Sequence, residues 1–177
     1  MNHIRSFAAA ILASALFLVP ASLAVAGGAG GVGFSGQYFH PSLSNMDLGM
    51  SSITGFGYGV GPDGSRIGGF GTAFFSASSD TAGGVGGMLI GHEWGSGPVV
   101  LAFTLWGGVG GGGWSANGYM LAYGAAQAEL GIWLLPWMQL TAYVGYEAMG
   151  NVVPGVPFSR ALLRTPVLGM RIAWGSP

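Results

Sequence analysis

The chain has 177 residues, is half hydrophobic and 6% charged, and carries a formal net charge of −1 without a single cysteine. A soluble domain usually carries about 25% charged residues, and a disordered chain needs low hydrophobicity with many charges, so both classes fit this composition poorly. All the basic residues are arginines; they leave no basic footprint for nucleic acid, and the missing cysteine excludes disulfides, thiolate metal sites and a cysteine nucleophile.

Residues 1–26 read as a secretory signal peptide. Arg5 supplies a short basic start, an apolar run follows from Phe7 to Val19, and Pro20 ends it. Ala24-Val25-Ala26 fits a small-residue cleavage site, so cleavage is expected after Ala26, with residues 27–177 as the exported domain. A retained helical anchor is the rival reading, but the apolar run is short for a span of about 20 residues.

Eight short runs follow in chain order: 30–40, 52–61, 66–77, 82–94, 99–108, 119–135, 138–149 and 167–175. Several alternate with period two, the mark of a strand with two unlike faces. In the first, Val32, Phe34 and Tyr38 oppose Gly33, Ser35 and Gln37; in the second, Phe56, Tyr58 and Val60 oppose Gly55, Gly57 and Gly59. In the seventh, Leu140, Ala142, Val144 and Tyr146 oppose Gln139, Thr141, Tyr143 and Glu147; in the last, Leu168, Met170, Ile172 and Trp174 oppose Gly169, Arg171 and Ala173. The sixth run is long enough for its start to project beyond the others.

Tight turns and longer connections alternate between the runs. The stretches 62–65, 95–98 and 136–137 hold the Gly and Pro of tight turns. The stretches 41–51, 78–81, 110–118 and about 150–166 read as the longer loops. An up-and-down meander with one tight end and one loopy end is the asymmetry of outer-membrane barrels, whose tilted strands need about 9–11 residues. Asp47, Asp63 and Asp80 fall in connections, whereas Glu93, Glu129 and Glu147 fall within runs, on the face read as inward. Phe34, Phe56, Met170 and Ile172 read as outward, and Gly33, Gly55, Gly57, Gly59, Gly87 and Gly91 as inward. Trp94, Trp133, Trp137 and Trp174 gather at the tight-turn end, with Trp106 and Trp114 at the loop end, as two membrane-interface girdles would.

This arrangement resembles the small eight-stranded outer-membrane β-barrels, the class that includes the OmpA transmembrane domain and OmpX. The likeness spans residues 27–177 and rests on pattern. It implies an all-β, eight-stranded antiparallel up-and-down transmembrane barrel in the cell outer membrane, with outer-membrane lipid and the barrel-assembly machinery as partners. Barrels of this class usually end on an aromatic residue read by that machinery; here Trp174 is followed by Gly175, Ser176 and Pro177.

Two other architectures compete. A helical membrane protein would have to place Gln127 and Glu129 mid-span and carry many mid-helix glycines, each costing about 1 kcal/mol relative to alanine. A soluble secreted or periplasmic barrel binding an apolar ligand would have to hold large apolar side chains in water.

Candidate chemistry is sparse. "GVGGGG" at 108–113 matches a dinucleotide fingerprint but lacks the strand–helix setting that the motif requires. "HEWGS" at 92–96 has serine where a zinc-protease motif needs its second histidine. His40 beside Ser42, Ser44 and Asp47 supplies the parts of a hydrolase triad, for a lipid-modifying barrel, although loops collect Ser and Asp for turn reasons alone. No metal site and no cofactor is expected. The inward polar set is the richer constellation: Glu93, Gln127, Glu129, Gln139, Thr141, Tyr143, Glu147 and Arg171. Arg171 is placed to reach across the seventh strand to Glu129, either as a neutralised buried pair or as a constriction in a narrow pore. A non-enzymatic barrel, acting structurally, through surface interactions or as a narrow pore, is the expected function.

Overall fold

The computed structural model describes residues 27–39, 48–76, 81–95, 97–114, 117–151 and 163–176; the expected signal peptide lies outside them. Eight strands follow in order: β1 (Gly27–Phe39), β2 (Leu48–Val60), β3 (Ser65–Ser76), β4 (Thr81–Trp94), β5 (Val99–Trp114), β6 (Asn117–Leu135), β7 (Met138–Asn151) and β8 (Leu163–Ser176). Each pairs antiparallel with its sequence neighbour, and β1 pairs with β8, closing an up-and-down barrel. Closure removes the free edges that would expose unpaired backbone groups. Among the described residues there is no helix, so the helical architecture is set aside.

Period two decides the two faces. In β7 and β8 the buried residues are Gln139, Thr141, Tyr143, Glu147, Met149, Thr165, Val167, Arg171 and Ala173, and Val144, Tyr146, Leu168 and Trp174 are exposed. β2 corrects the reading of its face. Phe56 is buried in the lumen and Ile53 is exposed, so Gly55, Gly57 and Gly59 point outward. An aromatic/glycine alternation is symmetric in sequence. The choice falls to volume: the inward faces of β1, beside β2, and of β4, beyond β3, hold Gly31, Gly33 and Gly87, and Phe56 joins the buried core beside Trp106.

The glycine-rich stretch after Trp106 is a second correction. It does not form a loop: β5 continues to Trp114, paired with β4 through Thr81↔Trp114 and with β6 through Trp114↔Asn117. Only residues 115 and 116 separate β5 from β6, so this connection is as short as Pro136-Trp137 at the other end. The glycines permit the pairing. A Cβ on Gly110 would run into the backbone carbonyl of Gly84 and stand 2.6 Å from Val85 Cα. β6 starts four residues before its first partner in the described part of β7, Leu121↔Asn151, and those residues pair with β5.

The tight end is built from special dihedrals. Gly64 (φ 85°) and Gly97 (φ 100°) occupy the left-handed region in the β2–β3 and β4–β5 turns, where glycine is favoured. Asp63 accepts from Ser65 Oγ at 2.7 Å and Ser65 N at 3.1 Å, and these bonds hold its carboxyl below the ordinary range.

Two glycine substitutions are expected to behave oppositely. Gly110→Ala forces strands apart and should lower stability by about 1–3 kcal/mol. At Gly57 nothing lies within 4 Å of an added Cβ, so Gly57→Ala should stay within about 0.5 kcal/mol of the parent. Urea denaturation midpoints of the refolded barrels check both.

Candidate functional site in the lumen

The lumen is layered along its axis. At the tight-turn end lies an ionic layer centred on Glu129 of β6. Arg171 of β8 donates from Nη1 to Glu129 Oε1 at 2.8 Å, and Arg66 of β3 donates from Nη1 to Oε2 at 2.9 Å. Thr104 of β5 adds a third bond, Oγ1 to Oε1, at 2.5 Å. Arg66 also donates from Nε to Glu93 Oε2 of β4 at 2.6 Å, and Arg171 Nη2 donates to Gln127 Oε1. Two arginines and two glutamates therefore form one charge-balanced network across the barrel. Glu129, Arg66 and Arg171 are all buried. Charges so placed are tolerable only when paired and hydrogen-bonded.

An aromatic layer covers this network. The Arg171 guanidinium lies 3.9 Å from the Tyr143 ring centroid and 4.6 Å from that of Trp106, and Arg66 lies 4.4 Å over Tyr58. Cation–π attraction strengthens when the cation is desolvated. Phe70 packs edge-on to Trp106 at 4.9 Å, while Trp106 Nε1 donates to Thr104 Oγ1 at 2.9 Å, joining the two layers. Arg171 Nε, buried, has no hydrogen-bond partner among the described residues; its surroundings are these ring faces. Gln139 accepts from Thr141 Oγ1 at 3.1 Å. Higher up, Glu147 accepts from Gln127 Nε2 at 3.4 Å. Phe74, Met50, Met149, Leu121 and Val167, all buried, fill the loop end.

The structure thus brings Glu93, Gln127, Glu129 and Arg171 into one network, sets Tyr143 against Arg171, and leaves Gln139–Thr141 and Glu147 as satellites. Sequence reasoning missed Arg66, Thr104 and Tyr58, and of the inward aromatics it named Tyr143 but not Phe56, Phe70 or Trp106. A signal existed for Arg66: it has the parity of Phe70 and Phe74, and Glu93 with Glu129 needs two cations rather than one.

The tryptophans divide differently from the expected girdles. Trp94, Trp137 and Trp174 are exposed at the tight-turn end. Trp106 is 5% exposed and belongs to the lumen core; its indole N–H finds a partner there, which is the condition for burying a tryptophan. Trp133 packs against that core from the inward face. The Trp114 side chain lies outside the described residues, as do His40, Ser42, Ser44 and Asp47. His92 packs against Trp94, the rings tilted by 55° with centroids 4.7 Å apart. Among the described residues, no group of three His, Cys, Asp or Glu side chains could hold a metal ion.

The chain's shape is similar to that of a known barrel. It superposes on the crystal structure of Neisserial surface protein A with a TM-score of 0.67 and 13% identity, covering 83% of this chain and 96% of that one. At this identity the likeness concerns the fold. No family profile matches the chain, and no curated protein matches it in sequence.

Glu129→Gln leaves two buried arginines short of an anion. It should destabilise the barrel by about 3–5 kcal/mol, the range for breaking one partner of a buried ion pair, read as a shift in the urea midpoint. A double-mutant cycle with Arg66→Met should return a coupling above about 0.5 kcal/mol.

Proposed function

We propose that the chain crosses an outer membrane as a closed, non-enzymatic barrel and acts through its outer wall and loop end, as a structural or surface-interaction protein. The partition of charge carries the reading. Among the described strand residues, every charged side chain except Arg164 faces the lumen, while Phe34, Ile90, Leu101, Leu105, Val144 and Met170 are exposed outside. Water would penalise such an exterior as a large apolar patch; lipid matches it. Trp94, Trp137 and Trp174 form the aromatic girdle of the tight-turn end, the periplasmic end in barrels of this kind.

The packed lumen favours a plugged barrel over a narrow pore. Leu89 and Thr104 are each 1% exposed and Gln127 is 2% exposed, so ions would pass only if the Glu129 network parted. A soluble carrier of an apolar ligand fits poorly, since its apolar surface belongs inside and its ion pairs outside.

Fractionation tests the reading. The protein should sediment with the outer membrane and run with heat-modifiable mobility; recovery wholly in soluble fractions without detergent would sink the proposal. Val144→Arg, mid-strand on the outer face, should cost about 2–4 kcal/mol in a bilayer, whereas a water-facing site would tolerate arginine. In planar bilayers the parent should stay near background conductance; a conductance that Arg171→Ala alters would favour the pore instead.

A further inference from the structure

We draw no further inference here: the strongest candidate, the surface patch on the outer wall where Gly55 and Gly57 of β2 pair with Gly71 and Gly69 of β3, is a stripe of small residues, and nothing in the structure shows what covers it.

Discussion

The Glu129 carboxylate is the point on which the lumen converges. An apolar outer wall sends the polar residues of every strand inward, into a space too narrow to hydrate them. Charge there must be cancelled by charge. Glu129 accepts from Arg66, Thr104 and Arg171, and Arg66 carries the chain of contacts on to Glu93. Side chains from β3, β4, β5, β6 and β8 are thereby tied together across the barrel. Hydrogen bonds of the wall join only neighbours; this network joins strands that never touch along their backbones.

Volume is the companion constraint. A barrel of eight strands has room for side chains and little else. Here the inward faces of β1 and β4 are thinned by Gly31, Gly33, Gly87 and Gly91, and β5 adds Gly108 and Gly110. Rings from β2, β3, β5, β6 and β7 occupy the space, stacking over the arginines. The aromatic layer therefore serves twice: it fills the middle of the lumen and presents ring faces to Arg171, whose Nε has no hydrogen-bond partner among the described residues. Opposite the glycines of the lumen, outward Gly55, Gly57 and Gly59 leave the wall smooth, with packing inside rather than outside settling their orientation.

The outside of the wall obeys a different solvent. Its one charged residue in the described strands, Arg164, stands at the loop end. A charge would be costly deeper in hydrocarbon.

Much of this was legible along the chain. Period two in the last two runs assigned the faces of β7 and β8, and the tight turns marked three of the strand boundaries, because these signals are local: alternation follows from the pleat and turn chemistry from backbone dihedrals. The strand count and the pairing of Arg171 toward Glu129 followed from meander topology. What the sequence could not decide was everything set by complementarity across the lumen. The aromatic/glycine alternation of β2 is the same read either way round, and Trp106 is equally at home at an interface or beside a buried acceptor. The glycines of 107–113 form strand or loop according to whether neighbours come close enough to pair. Arg66 joins the ionic network only once closure carries β3 opposite β6. The sequence by itself determined which residues share a face and that the class is an eight-stranded barrel. The tertiary structure decided which faces turn inward where the pattern is symmetric, because only a closed wall defines the volume and the charge that its interior has to balance.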